Sequence, residues 1–365
     1  MSVPVVLENN GIISFPPLSL DSKGKDGYAC FNYVQKSITM KSYIQYILFI
    51  TCLYIFNQSY SGFFDRLFRH NPYTNIAASI TASARKNMQP DLQACKSLED
   101  IENLLRKEEN KCLNDIKEKL DVPDLLWDEC LAQIQKYKEY CLNTYFKQPN
   151  PNKDHSLANV DPELYKKVVH DAKMYGINPD SINIVYDKKR QDENPSCIAF
   201  STGPNFYEDT FIAYRPAQIS FIPLNLCASK EDQYEHTPLH EITHQIELHS
   251  IQVNLICRTL NKILLSIDFN EKGKLIKALD RNHEKYADLG PIIKFKNSKQ
   301  VRVLRKIYID NCISKIQNGE KFTWNQSPED ATRPDACAEM LPWILKIEDI
   351  MAQEAKQSPN KTIKS

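Results

Sequence analysis

Glycine is scarce in this 365-residue chain, which contains only nine glycines. So few glycines favour a helix-rich protein over a β-sandwich with many turns. Net charge is also absent, because 46 lysines and arginines balance 46 aspartates and glutamates, and no basic block gives an electrostatic reason to propose a nucleic-acid partner. None of the eleven cysteines forms a C-x-x-C pair, which argues against a zinc ribbon or a thioredoxin-type redox pair. Structural disulfides or buried thiols remain.

The apolar run from Tyr43 to Phe56 is too short for a typical membrane-spanning helix, which needs about 20 residues. It fits the h-region of a signal peptide, with Lys41 in the preceding positive region and the small residues Ser59 and Ser61 at a cleavage site. We therefore expect residues 40–61 to be a signal peptide. Residues 1–39 would be a polar extension, and they would not be translated if Met40 is the true start. The alternative is an uncleaved anchor that associates with the membrane through residues 43–56. Both interpretations predict an exported protein, which is periplasmic, secreted or anchored to the membrane.

A helical region is predicted over residues 62–150. After Ser97, apolar residues recur at spacings of three, four and seven, and a second segment with an apolar face follows Pro123. These two segments predict an antiparallel helical hairpin.

The cysteines of this region suggest disulfides. Cys112 and Cys130 each lie nine residues from Asp121, in the middle of the turn, so they would stand opposite each other and bridge in an oxidising compartment. Cys95 and Cys141 form a second candidate pair. The alternative is that all four are buried thiols, since free cysteine is among the most buried residue types.

The pattern changes after a polar, turn-rich stretch at 148–154, the best candidate for a linker. A helix closed by Gly176 should be followed by short strands, then by a helix over Thr237–Gln245 and by a long helix from Ile246 to Ile267. The predicted strands are Ile182–Tyr186, Cys197–Phe200, Thr210–Tyr214 and Ile219–Leu224. The order predicts an α+β domain over residues 155–352, followed by a flexible tail at 353–365.

One stretch, from Thr237 to Gln245, contains the pattern H-E-x-x-H. On a helix, His240 and His244 lie on one face and can bind a single metal ion, while Glu241 can act as a general base toward a water on that metal. Thr237 can cap the helix, and Pro238 suits its first position. The alternative is that the two histidines are ordinary, partly buried residues.

A catalytic zinc needs a third protein ligand. Forty residues after His244, Glu284 and Asp288 share one helical face. We expect Glu284 to be the third ligand and Asp288 to accept the second N–H of His240 or His244, which fixes the tautomer of that ring. His283 is an alternative third ligand, although it points about 100° away from the face that carries Asp288.

With these motifs the sequence resembles the gluzincin zinc metallopeptidases, in particular the family of the CAAX prenyl protease, the HtpX-like membrane proteases and their soluble periplasmic relatives. The similarity lies in His240–His244 and in the E-x-x-A-D pattern of Glu284–Asp288. Residues 194–200 also resemble a strand entry of the family, and residues 332–336 resemble its later Ser/Thr-His-Pro stretch. Arg333 stands where the family has histidine, so Arg333 is a candidate for stabilising the transition state. The alternative role of Arg333 is a structural ion pair. The resemblance covers residues 160–345 and implies a zincin-like fold.

Together these observations predict an exported zinc-dependent endopeptidase with one Zn2+ ion per chain. Its peptide or protein substrate would lie extended against an edge strand, either Thr210–Tyr214 or Ile219–Leu224. One alternative is an inactive zincin-like binding or chaperone module in which the helical hairpin is the interaction element. Another is a helical structural protein in which the motif is accidental.

Overall fold

The computed structural model describes residues 6–7, 13–14, 72–187, 199–207, 210–222, 234–263, 269–318 and 335–357. The predicted signal segment, the stretch at 194–198 and Arg333 lie outside these residues. The chain divides into two compact units, residues 1–71 and 72–365. In the first unit, β1 (Val6–Leu7) pairs antiparallel with β2 (Ile13–Ser14). The second unit is mixed α+β and mostly helical with a small sheet, which confirms the predicted class.

Eleven α-helices are described in the second unit. They are α1 (Pro72–Lys86), α2 (Pro90–Ala94), α3 (Leu98–Lys119), α4 (Asp124–Asn143), α5 (Leu157–Val160), α6 (Pro162–Met174), α7 (Thr237–Glu247), α8 (His249–Lys262), α9 (Phe269–Phe295), α10 (Ser298–Gln317) and α11 (Leu341–Gln357). Because α11 continues to Gln357, helix extends into the predicted flexible tail. Among these helices, none is long and apolar enough to cross a membrane.

The third and fourth helices match the two segments predicted before the linker. α3 begins with a capping box, in which the Ser97 hydroxyl accepts from the Asp100 N–H and the Asp100 carboxylate accepts from the Ser97 N–H. However, α3 lies along α9 and α4 lies against α8, and the two helices make few contacts with each other. The predicted hairpin is therefore wrong as a packing unit, because the apolar face of each helix is buried against a later helix.

The hydrophobic cores join residues from both sides of the predicted linker. Leu98, Ile101 and Leu105 of α3 pack in one cluster with Leu289 and Ile292 of α9, and all five are nearly fully buried. Each such side chain contributes about 1.5–3 kcal/mol relative to an exposed one. The helices before residue 150 are thus part of the same compact unit as the H-E-x-x-H helix.

The four cysteines predicted to bridge are free thiols. Because α3 and α4 face different helices, the Cys112 sulfur lies 3.9 Å from the Ala278 carbonyl of α9, and Cys130 is buried in the core beside α8. The Cys112–Cys130 and Cys95–Cys141 disulfides are therefore wrong. Burial raises the pKa of both Cys112 and Cys130, which keeps their thiols protonated.

The sheet has three described strands in the order β3 (Asn183–Tyr186), β7 (Gln218–Phe221), β4 (Ala199–Thr202). β7 pairs parallel with β3 and antiparallel with β4. The predicted strand Ile219–Leu224 is therefore central rather than an edge strand. The other predicted edge, Thr210–Tyr214, is replaced by β6 (Ala213–Arg215), which pairs with β5 (Asn205–Phe206) in a separate two-stranded sheet.

The H-E-x-x-H helix ends later than the sequence predicted, because the next helix was expected to begin already at Ile246. α7 stops at Glu247, and Leu248 adopts a left-handed conformation with φ 56° before α8 begins. The next helix, expected from Ile246 to Ile267, therefore begins at His249, and its predicted end at Ile267 lies outside the described residues. The N-cap position of α7 is occupied by His236 rather than Thr237, and its side chain makes no capping hydrogen bond.

Candidate metal centre

Helices α7 and α9 pack against each other and bring three candidate ligands together. The helical period places His240 and His244 on one face of α7, and Glu284 of α9 faces them. His240 Nε2 lies 3.1 Å from His244 Nε2. The two carboxylate oxygens of Glu284 lie 3.5 Å from His240 Nε2 and 3.4 Å from His244 Nε2. These three side chains could hold one metal ion.

The separations between these atoms are close to those of a tetrahedral zinc site, since 3.4 and 3.5 Å match and the 3.1 Å between the histidine nitrogens is slightly shorter. Zinc bonds to histidine nitrogen and carboxylate oxygen are about 2.0–2.2 Å, so ligand atoms at the corners of a tetrahedron lie about 3.3–3.5 Å apart. The side chains of His240 and His244 are each 13% exposed, and that of Glu284 is 26% exposed. The site is therefore reached by solvent, and two histidines with one carboxylate form a donor set typical of catalytic zinc.

A second group of potential ligands consists of His236, His240 and Asp288. Asp288 Oδ1 lies 2.8 Å from His236 Nε2 and 2.6 Å from His240 Nδ1. These are hydrogen-bond lengths, shorter than the spacing of ligands around zinc. Since His240 already offers Nε2 to the first group, its Nδ1 is best used to donate to Asp288. Of the two groups, His240, His244 and Glu284 are therefore the better candidates to hold a metal ion.

Asp288 thus orients His240. The sequence had predicted that Asp288 would accept a hydrogen bond from either His240 or His244. It also accepts a hydrogen bond from the Tyr308 hydroxyl on its second oxygen. Burial alone would raise the pKa of Asp288, but the neighbouring His240 and His236 outweigh it and hold that pKa well below its usual value. The carboxylate therefore remains ionised and available to the His240 N–H.

Glu284 is held in its ionised form by a similar balance. Burial would raise its pKa, but hydrogen bonds and charge interactions with His240 and His244 lower it below the usual glutamate range. An ionised carboxylate is the form that binds a metal. For His240, burial lowers the pKa and the two carboxylates outweigh that effect, so its pKa is raised well above the usual value.

The remaining face of α7 anchors the helix to the sheet and to α6. Gln245 is fully buried and donates to the Thr202 carbonyl oxygen of β4 at 2.9 Å and to the Gln218 carbonyl oxygen of β7 at 3.2 Å. Thr243 Oγ1 lies 2.9 Å from the Tyr175 hydroxyl. Glu241, the predicted general base, is buried next to His240 and 5% exposed.

The second candidate histidine ligand, His244, contacts a histidine that the sequence analysis did not identify. His244 Nδ1 lies 2.8 Å from His249 Nδ1, and the His249 ring stacks on His283 with centroids 4.1 Å apart. His283 Nε2 lies 3.8 Å from Glu109 Oε1, away from the metal group. The alternative assignment of His283 as a ligand is therefore wrong, because the face of α9 that carries it points away from Glu284.

Five of the eight histidines meet in this region, at positions 236, 240, 244, 249 and 283. His236 precedes His240 by one helical spacing of four residues, a signal that could have been noticed. His249, Glu109 and Tyr308 carried no comparable local signal. The structure brings together Glu284, Asp288 and the two motif histidines.

No protein-family model matches this chain, and neither the curated proteins nor the solved structures contain a match to it.

Proposed function

We propose that this chain is a zinc-dependent endopeptidase with a zincin-like domain. The observation that carries the proposal is the convergence of His240, His244 and Glu284 at the spacing of zinc ligands, with Glu241 on the same turn of α7. If the H-E-x-x-H pattern were accidental, there would be no reason for a carboxylate from a separate helix to face both histidines. Its presence at this distance favours a metal site over a pair of ordinary core histidines.

The chemistry would be hydrolysis of a peptide bond. When bound, zinc supplies a Lewis acid that lowers the pKa of a water and polarises a carbonyl group. Glu241 would accept a proton from the attacking water and return it to the leaving amine. Asp288 would hold the Nδ1–H of His240, so that Nε2 keeps its lone pair directed at the metal position.

The substrate would lie extended beside β4. Of the described strands in the three-stranded sheet, β3 and β4 are at the edges, and β4 is the one that Gln245 ties to α7. An extended peptide recognised through its main chain would run along this strand. This replaces the two strands proposed from the sequence. Export, and membrane association through residues 43–56, remain predictions of the sequence.

The proposal is tested by measuring zinc in the purified full-length chain by elemental analysis, in the wild type and in Glu284→Ala. We expect one zinc per wild-type chain and its loss, or a greatly weakened affinity, in the variant. Glu354→Ala is the matched control, because Glu354 is an exposed residue of α11 that pairs with Lys296. A correctly folded wild type without zinc would overturn the proposal, whereas zinc without cleavage of any peptide would favour the inactive binding module.

A further inference from the structure

His249 reaches the candidate metal site only because the helix is interrupted between α7 and α8. In a continuous helix His249 would follow His244 by five residues, which is about 500° of rotation or about 140° away around the axis. Leu248 is left-handed and almost fully buried. The turn it makes brings the Nδ1 atoms of His249 and His244 to 2.8 Å.

The positions of the protons follow from the metal site. His244 presents Nε2 to His240 Nε2 and to Glu284, so a metal there takes the Nε2 lone pair and the ring proton sits on Nδ1. That N–H needs an acceptor because it is buried in the protein. His249 Nδ1 is within hydrogen-bond distance and can accept only if His249 is neutral and carries its own proton on Nε2.

The His249 ring is held in place from behind. It is 4% exposed, and it lies parallel to the His283 ring with an angle of 4° between the planes. The ring nitrogens of His283 make no short hydrogen bond among the described residues, its Nε2 lying 3.8 Å from Glu109 Oε1, and the ring contacts His249 through its flat face. Glu109 beyond it is fixed by Gln252 and Arg106, each at 3.2 Å.

We propose that His249 is the positioning residue for His244: it accepts the Nδ1–H of His244 and so fixes the tautomer and the ring plane of this ligand. The inference rests on the metal site of the proposed function. The two histidine ligands are then supported by different groups, His240 by the carboxylate of Asp288 and His244 by an uncharged imidazole. A neutral acceptor orients the ring without adding negative charge to the site.

The test compares two amides at position 249 in the full-length chain. In His249→Asn, the amide oxygen takes the place of Nδ1 and can accept the His244 N–H, whereas in His249→Gln it takes the place of Nε2 and points elsewhere. Zinc dissociation constants are measured by competition with a chromogenic chelator. We expect His249→Asn to stay within about 3-fold of the wild type and His249→Gln to bind zinc about 10- to 100-fold more weakly, as is typical when the partner of a metal-bound histidine is lost.

A second readout separates positioning from general stability. The visible absorption bands of the Co²⁺-substituted protein report the geometry of the ligands, and we expect them to be unchanged in His249→Asn and shifted in His249→Gln. His155→Gln is the matched control, because His155 contacts Tyr165 and the Ile182 carbonyl, outside the metal site, and should leave both readouts unchanged.

The outcomes distinguish the two proposals. If the wild type binds no zinc, the proposed function fails and the role of His249 fails with it. If the wild type binds zinc but the Asn and Gln variants bind it equally, whether tightly or weakly, only the role of His249 is overturned.

Discussion

Arg106 Nη2 lies 2.9 Å from Glu247 Oε2, an ion pair that joins α3 to the last residue of α7. The same carboxylate oxygen is 2.9 Å from Lys138 Nζ of α4. The Arg106 guanidinium also lies over the Tyr286 ring at 4.1 Å and donates to its hydroxyl at 2.8 Å. The helices that precede the linker are therefore bound to the motif helix by charge as well as by the apolar core.

Replacing Arg106 by Met should lower the free energy of unfolding by about 1–3 kcal/mol, because Glu247 is only 12% exposed and loses one of its two cations. The loss is smaller than for a fully buried pair, since Arg106 is one-third exposed and Lys138 remains. Urea unfolding measures it. The matched control is Arg85→Met, which removes an exposed ion pair with Asp349 and should cost about 0–1 kcal/mol. Equal losses in both variants would show that burial of the Glu247 pair adds nothing.

Glu241→Gln should abolish most peptide cleavage while zinc is retained. The amide keeps the size of the side chain but cannot accept the proton, and loss of a general base typically lowers kcat/KM by about 10²–10⁴-fold. Cleavage of a peptide library and zinc content are measured on the same preparation. Glu235→Gln is the control, because Glu235 lies just before α7 and pairs with Lys299. Unchanged cleavage in Glu241→Gln would remove Glu241 from the mechanism.

Asp288→Asn should weaken zinc binding by about 10- to 100-fold, because the negative charge that orients His240 is lost and the amide can present N–H to a donor. Tyr308→Phe should have a smaller effect, since it removes one hydrogen bond to Asp288 and leaves the charge. Chelator competition ranks the two variants. An Asp288→Asn protein that binds zinc like the wild type would show that His240 needs no carboxylate.

Stability should fall in acid partly through Glu109. Burial would raise its pKa, but His283, Arg106 and Gln252 outweigh burial and lower that pKa to about 2. A depressed pKa stabilises the folded state above the ordinary glutamate value, and this contribution is lost as the pH falls from about 4.5 through about 2. The full contribution is about 3 kcal/mol, from about 1.4 kcal/mol for each pKa unit.

The measurement is urea unfolding of the wild type and Glu109→Gln at a series of pH values. The variant should be less stable at pH 6, and the difference should shrink as the pH falls below about 4.5. Glu354→Gln is an exposed control and should show little difference at any pH. A difference that is independent of pH would mean that Glu109 stabilises the fold without its charge.

Leu248→Gly should destabilise the protein even though glycine is the residue that tolerates a left-handed backbone. Relief of the left-handed leucine contributes about 1–2 kcal/mol, but Leu248 is 1% exposed in the main core, and deletion of such a side chain costs about 2–5 kcal/mol. Asp121 also has a left-handed backbone, with φ 48°, and its side chain is exposed. The control Asp121→Gly should therefore be neutral or slightly stabilising. Thermal unfolding of both variants decides which effect dominates.

The sequence predicted what depends on local spacing. His240, His244, Glu284 and Asp288 were found because three- and four-residue spacings on a helix determine which side chains share a face. The class of the fold followed from the same periodicity. The contact between α7 and α9 could be expected only because the chemistry of zinc requires a third ligand.

What the sequence did not predict depends on which helix packs against which. The predicted disulfide between Cys112 and Cys130 was wrong because α3 and α4, although adjacent in sequence, each pack against a helix much later in the chain. The central position of β7 likewise depends on pairing with β3, which no local pattern specifies. The role of His249 was hidden by the left-handed turn at Leu248, since a leucine gives no signal for such a turn.

The supports of the metal site also determine when it can form. Glu109 lies on α3 and Tyr308 on α10, so the groups around the ligands come from widely separated parts of the chain. During synthesis the supporting contacts cannot be completed until Tyr308 has been added to the chain and α3 has docked against α9. A nascent chain would thus carry the H-E-x-x-H segment without its full set of supports, and the proposed hydrolytic activity would arise only after most of the polypeptide has folded.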